Sequence, residues 1–306
     1  MKMKLCYQVA TPDVIPAPGV TAYQGDLDTS FRRLMECGYT GVELMVANPA
    51  QVDAGRIIFL SKQYGLDVPM VCTGEIYGQE RLSFSNLDDR VRASAISYAK
   101  SAVDLAQALG AQINVGRLRG EYVYGATREL CRQRSVDGLR EIASYAGERG
   151  VTVALEPVNS IAFNFINTTQ EGIALVREIA LPVLKLMLDS NHMFIDDKDI
   201  VQSVFDAAEL VTYVHLVDSN RLYPGIANWT SPRLLRPCGR PDMMAITVWR
   251  YSSGPIRIPL WKRALNTCDP YWRTDKGVLL LRETPISDRT ARLAKLAVRS
   301  LSYVPL

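Results

Sequence analysis

The 306-residue chain reads as an α/β protein, a (β/α)₈ barrel whose last βα unit is aberrant or missing. Three observations predict this. Short apolar runs alternate with amphipathic segments from the N-terminus onward, which is the pattern of a parallel sheet covered by helices. The repeat is about 30 residues long and carries no glycine-rich dinucleotide fingerprint, so a closed barrel is favoured over a doubly wound sheet. Polar residues gather just after the apolar runs, where a barrel places its chemistry.

The strand-like runs are residues 5–9, 41–45, 68–72, 112–115, 151–155, 185–188 and 211–217. Each is rich in Val, Leu, Ile or Met over a length typical of a strand buried on both faces. Between them, residues 27–37, 50–64, 88–109, 127–149, 169–179 and 199–208 carry apolar side chains at helical spacing. Several of these segments follow an Asp, Ser or Thr able to cap a helix N-terminus. Gly38, Gly65, Gly110 and Gly150 follow others, where a helix C-cap calls for positive φ.

Composition sets the class. Hydrophobic residues make up 48% and charged residues 22%, ordinary values for a globular domain, so disorder and fibrous repeats are excluded. No apolar run approaches the roughly 20 residues that span a bilayer, and the first ten residues lack a signal-peptide core, so a cytoplasmic protein with no membrane partner is expected. The cysteines at 6, 37, 72, 131, 238 and 268 show no CxxC spacing, which argues for buried apolar side chains over a zinc knuckle or a disulfide framework. The net charge of +3 is unevenly spread: residues 226–306 hold 14 Lys and Arg against five Asp and Glu, and residues 1–225 hold 21 against 27. All four tryptophans, 229, 249, 261 and 272, lie in that basic tail.

Only two histidines are present, and each ends an apolar run beside carboxylates: Leu186-Met187-Leu188-Asp189-Ser190-Asn191-His192 and Val214-His215-Leu216-Val217-Asp218. A third run, Val153-Ala154-Leu155-Glu156-Pro157, ends in a carboxylate in the same way. Oxygen ligands with an imidazole suit one divalent ion such as Mn²⁺, Mg²⁺, Co²⁺ or Zn²⁺. The other polar residues at run ends are Glu43, Glu75, Arg117, Arg119 and Arg221. Taken singly, each also fits a solvated loop position, a core histidine or, for Asp189, a helix cap.

The strings Gly38-Tyr39-Thr40-Gly41-Val42-Glu43, Ala154-Leu155-Glu156-Pro157-Val158-Asn159, Met187-Leu188-Asp189-Ser190-Asn191-His192-Met193 and His215-Leu216-Val217-Asp218-Ser219-Asn220-Arg221 resemble, as an ordered set, the sugar phosphate isomerase/epimerase family with its xylose isomerase-like TIM barrel. Ketose 3-epimerases, hydroxypyruvate isomerase and endonuclease IV belong to the same superfamily. The resemblance covers residues 1–225. It implies that Glu156, Asp189 and His215 bind the metal, and that Glu156 doubles as the acid/base moving a proton next to a carbonyl. It further implies that His192 and Arg221 hold substrate oxygens; Glu43, Glu75 and Arg117 are the remaining substrate-side candidates. The implied partner is a small carbohydrate, isomerised or epimerised through an enediolate. Nucleic acid is not expected, because the multi-zinc site of endonuclease IV needs more histidines than two and residues 1–225 are acidic.

Past Gly225 the pattern of that family stops. Reading the implied codons one base early converts Asn228-Trp229-Thr230 to Leu then Asp, and Asp242-Met243-Met244-Ala245 to Tyr or His, then Asp, then Gly. The same shift gives a Glu at the place of Arg250 when that arginine is encoded by AGA or AGG. These strings are family motifs in family order, so residues 226–306 are expected to be a frame-shifted tail that has lost the fourth metal ligand. The competing expectations are Glu283 as a replacement ligand and a tail acting as a nucleic-acid or partner-binding module. A barrel without its eighth strand is expected to expose two sheet edges, which favours homo-oligomers or aggregation and allows an inactive fragment or a sugar-binding pseudoenzyme.

Overall fold

The computed structural model describes residues 5–17, 20–217 and 219 and the backbone of 245–248. Arg221, Arg250 and Glu283 lie outside the described residues. Eight parallel strands close into a barrel in sequence order: β1 (Leu5–Ala10), β2 (Gly41–Met45), β3 (Asp67–Cys72), β4 (Gln112–Val115), β5 (Val153–Leu155), β6 (Leu184–Asp189), β7 (Val211–Leu216) and β8 (Ala245–Val248). The helices between them are α1 (Leu27–Glu36), α2 (Ala54–Tyr64), α3 (Gly74–Gly78), α4 (Asp89–Leu109), α5 (Arg128–Gly147), α6 (Thr169–Ile179), α7 (Ser190–Asp196) and α8 (Ile200–Ala207).

Side chains alternate across a strand, and in this barrel one set of alternate positions faces helices while the other faces the axis. Outward residues such as Val42, Leu44, Ile113, Leu155 and Leu186 join Phe31, Leu34, Ile57, Leu60, Val103 and Leu139 of the helices in the main core. Inward, Cys6, Met70, Ala154, Met187 and Tyr213 form a separate cluster inside the barrel. Gly41 completes that level because a Cβ there would stand 2.7 Å from Cys6 Sγ and 3.0 Å from the Asp67 carbonyl oxygen. Two residues further along β1 to β7 the inward positions become polar, and these build the site.

Helix starts follow the expected caps. The Thr29 N–H donates to Asp26 Oδ2, the Leu130 N–H to Thr127 Oγ1 and the Gln202 N–H to Asp199 Oδ1, while Thr168 and Glu171 form a reciprocal capping box. Gly65 and Gly110 end α2 and α4 in the left-handed region, with φ of 63° and 66°. Two expected starts move by two residues or more. Residues 49–51 form a separate 3₁₀ turn, and α2 begins only at Ala54, because Asp53 caps it by accepting from the Arg56 N–H. Val151 gives its N–H to the Ala146 carbonyl at the end of α5, so β5 starts at Val153.

The expectation of two open sheet edges is corrected. The four residues of β8 pair in parallel with both β7 and β1, with Val214 opposite Ile246, and Leu5 opposite Ile246 on the other side. Closure satisfies the backbone groups that a missing stave would have left exposed. Cys6, Cys37, Cys72 and Cys131 are buried thiols, as expected of apolar side chains. No helix among the described residues is long and apolar enough to cross a membrane.

Arg119, a site candidate from its position after β4, is a structural residue. It is fully buried, and its guanidinium donates to the carbonyls of Gly116, Glu156, Phe165 and Ile166. These bonds join the loop after β4 to the loop after β5. Burial lowers its pKa to about 10, which still leaves it charged at neutral pH. Arg119→Leu strips these carbonyls of their donor, so destabilisation of about 3 kcal/mol or more is expected. Chemical denaturation checks this, and an unchanged midpoint would refute the bracing role.

Candidate functional site

The polar level of the barrel contains Gln8, Glu43, Cys72, Asn114, Glu156, Asp189 and His215, all buried. Each lies two positions after an inward residue of the level below, so the same strand parity that aims Ala154, Met187 and Tyr213 at the axis also aims Glu156, Asp189 and His215 there. Their donor atoms converge. His215 Nδ1 lies 3.7 Å from Asp189 Oδ2 and 3.8 Å from Glu156 Oε1, and one donor from each of the three residues falls within 4.8 Å of the others. Donors bound at about 2.1 Å to one ion stand at most about 4.2 Å apart, so both histidine–carboxylate spacings suit a shared cation. Among the described residues this is the group able to hold a metal.

Each of the three is held from behind. His215 Nε2 stands 2.9 Å and 3.1 Å from the two Glu43 oxygens, which leaves Nδ1 facing the other carboxylates. Glu43 is 0% exposed and also accepts from Gln8 Nε2 at 2.7 Å. Asn114 Nδ2 donates to Glu156 Oε2 at 3.1 Å, and the Thr73 N–H fixes that amide by donating to Asn114 Oδ1. Gly116 makes room for Glu156, since a Cβ there would come within 2.6 Å of Oε2. Asp189 divides its two oxygens: Oδ1 caps α7 by accepting from the Asn191 and His192 N–H groups, and Oδ2 turns to His215. The cap and a donor atom facing the centre, alternatives in the sequence, are both present in one side chain.

The electrostatics favour a cation. Three carboxylates, Glu43, Glu156 and Asp189, surround one imidazole in a buried interior. Burial alone would lower the His215 pKa, but Glu43, Asp189 and Glu156 overturn that and push it up to about 10. Burial raises the Glu156 carboxyl, with His215 and His192 opposing and Asp189 and Glu43 adding to the rise. Burial, with Glu43 and Glu156 nearby, also pushes the Cys72 thiol well up, so it stays protonated. The cluster therefore retains a proton on His215 that a divalent ion would displace.

The remaining candidates divide. His192 joins the centre: its Nε2 lies 4.0 Å from both Glu156 Oε1 and Asp189 Oδ2, and its Nδ1 lies 2.6 Å from Asn159 Nδ2. Glu75 and Arg117 pair with each other at 2.9 Å, with the guanidinium carbon 5.9 Å from the centre of the Tyr77 ring. Glu43 differs from the expected substrate contact, because its buried carboxylate is engaged by His215 and Gln8. Gln8, Cys72, Asn114 and Asn159 were not singled out from the sequence. For Gln8 and Cys72 the available signal was the two-residue offset from an inward apolar position, Cys6 and Met70; Asn114 has the polar Gln112 at that offset.

A family profile described as a xylose isomerase-like TIM barrel matches residues 31–231. The chain is 30% identical over 194 residues to an L-ribulose 3-epimerase of Methylomonas sp. strain DH-1, covering 62% of this chain and 66% of that one. It is 25% identical over 250 residues to a ketose 3-epimerase of Arthrobacter globiformis, covering 79% and 83%. Among solved structures, a 3-keto-D-glucoside 4-epimerase from E. coli superposes with a TM-score of 0.70 at 19% identity, covering 88% of this chain and 100% of that one. A D-allulose 3-epimerase from Methylomonas sp. in complex with D-allulose gives 0.67 at 23% identity, covering 97% and 96%. At such identities the structural likeness establishes the fold, a TIM barrel. With the profile spanning most of the chain and the inner-face triad in place, the chain belongs to the xylose isomerase-like TIM-barrel family of sugar phosphate isomerases and epimerases.

Proposed function

We propose that the chain is a divalent-metal-dependent epimerase or isomerase of a small ketose. The observation that carries this reading is the convergence of Glu156, Asp189 and His215 on one point inside the barrel mouth. The relatives named as ketose and L-ribulose 3-epimerases support the substrate class. A bound ion would supply positive charge to the oxygens of the sugar, lowering the cost of the enediolate that forms when an α-proton leaves. Glu156 takes that proton; handing it to the neighbouring carbon completes an isomerisation, whereas epimerisation needs a second acid on the opposite face of the enediolate. Burial of Glu156 raises its proton affinity toward what a general base at a carbon acid requires, and Asn114 fixes its other oxygen. His192 offers a donor to a sugar hydroxyl beside the carboxylates, Arg117 and Glu75 shape the mouth, and the family resemblance gives Arg221, outside the described residues, the role of holding a substrate oxygen. Glu43 orients His215.

A second reading keeps the binding but not the turnover. The family profile stops at residue 231 and three ligands converge among the described residues, which fits a pseudoenzyme or inactive product. The same boundary supports a frame shift near Gly225, with residues 226–306 as its product and the lost ligand at the place of Arg250.

Three outcomes test these statements. Purified chain supplied with Mn²⁺ converts one member of a ketose panel to its epimer, and Glu156→Gln lowers kcat by about 100-fold or more; metal-independent conversion, or none by any frame, refutes the proposal. Because His215 must lose a proton held up to about pH 10 before Nδ1 can bind an ion, metal affinity rises with pH, by up to about tenfold per unit between about pH 6 and pH 8. Calorimetry in buffers of different ionisation heat registers the released proton, and a flat profile contradicts the coupling. Sequencing fresh template across the Gly225 codon recovers the alternative frame if the tail is shifted, and an unbroken frame ends that account.

A further inference from the structure

The two histidines present opposite kinds of nitrogen to the same carboxylates, and we propose that Asn159 is the positioning residue that makes His192 a donor to substrate and keeps it from ligating metal. This rests on the functional reading above for the identity of the substrate, a sugar hydroxyl, but not for the state of the ring.

Asn159 is 2% exposed, in the loop that follows β5. The orientation of its amide is fixed locally: the Ala162 N–H donates to Asn159 Oδ1 at 3.0 Å, while the Ala162 and Phe163 N–H groups both reach the Asn159 carbonyl. The carboxamide oxygen is therefore occupied by a backbone donor, and the NH₂ end must be the one facing His192. That NH₂ can only donate. His192 Nδ1, 2.6 Å away, must accept with its bare lone pair, so the single proton of the neutral ring sits on Nε2. Nε2 is the nitrogen 4.0 Å from Glu156 Oε1 and 4.0 Å from Asp189 Oδ2. A protonated nitrogen cannot be a metal ligand, whereas it is suited to a hydroxyl lying between it and those carboxylates.

Once its second proton is given up to a bound cation, His215 solves the opposite problem with the same tautomer. Its Nε2 faces Glu43, an acceptor, and its Nδ1 is the nitrogen turned to Glu156 and Asp189. An acceptor behind one ring and a donor behind the other divide the labour between ligand and substrate contact. The loop and the helix that carry this contact are tied together, since the Ser160 N–H and Oγ–H both donate to Asp196 at the end of α7, at 2.7 Å and 2.6 Å.

With two histidines in the chain, ¹⁵N imidazole NMR of the full-length protein loaded with diamagnetic Mg²⁺ reads the state directly, and His192→Gln identifies the signals by their loss. The expected wild-type spectrum places His192 Nδ1 in the bare range and Nε2 in the protonated range. Asn159→Asp replaces the donor with an acceptor, so Nδ1 becomes protonated, and ketose turnover falls by about 10- to 100-fold in kcat. A protonated Nδ1 in the wild type, or a bare Nδ1 in the Asp variant, overturns the proposal. The wild-type spectrum decides even where the variant fails to fold, and the predicted spectrum in a chain without ketose turnover upholds the assignment while removing the functional reading.

Discussion

Every second side chain of a parallel strand must face the barrel axis, and that constraint fixes where the charged residues of this chain can go. An inward carboxylate has no solvent to the side and no helix to snorkel along. It must pair, hydrogen-bond or bind an ion. Glu43, Glu156 and Asp189 meet this demand together, with His215 among them, and the rest of the site consists of the supports they need: Gln8 behind Glu43, Asn114 behind Glu156, and the first turn of α7 behind Asp189. Small residues serve the same end, with Gly41 admitting Cys6 below and Gly116 admitting Glu156 above.

The balance of charge inside the barrel is what gives this arrangement a use. Three acids against one imidazole leave excess negative charge in a region of low dielectric, where each uncompensated ion is costly. A proton on His215 is the compensation available to the bare protein, and a dication is the better one. The same groups that could hold an ion include a carboxylate of raised proton affinity, so on the proposed reading binding and proton transfer draw on one cluster. The loop after β5 and the helix after β6, braced by Arg119 and by Ser160 with Asp196, hold the remaining contacts at the rim.

Much of this was legible in the sequence, for identifiable reasons. The strands 41–45 and 112–115 and the helix 169–179 were placed to the residue because apolar runs and a Thr cap bound them sharply. The short helices α3 and α7 were missed, since five to seven residues are too few to show a helical period. The triad stood out because histidine is scarce and each member ends an apolar run. The supports Gln8, Asn114 and Asn159 did not, because an uncharged amide carries no signal of its own; only its partner reveals its purpose. Glu43 looked like a strand-end contact until the register of β2 showed it facing His215. The eighth strand was hidden in a tail whose motifs break off, yet the backbone of residues 245–248 closes the sheet.

The central claim is that one divalent ion is shared by Glu156, Asp189 and His215. Anomalous diffraction from crystals of the full chain grown with Mn²⁺ tests it most directly. The account predicts a single strong peak within about 2.0–2.3 Å of Glu156, Asp189 and His215 Nδ1, with His192 Nε2 outside bonding distance. A peak at any other place, or none at saturating Mn²⁺, would contradict it.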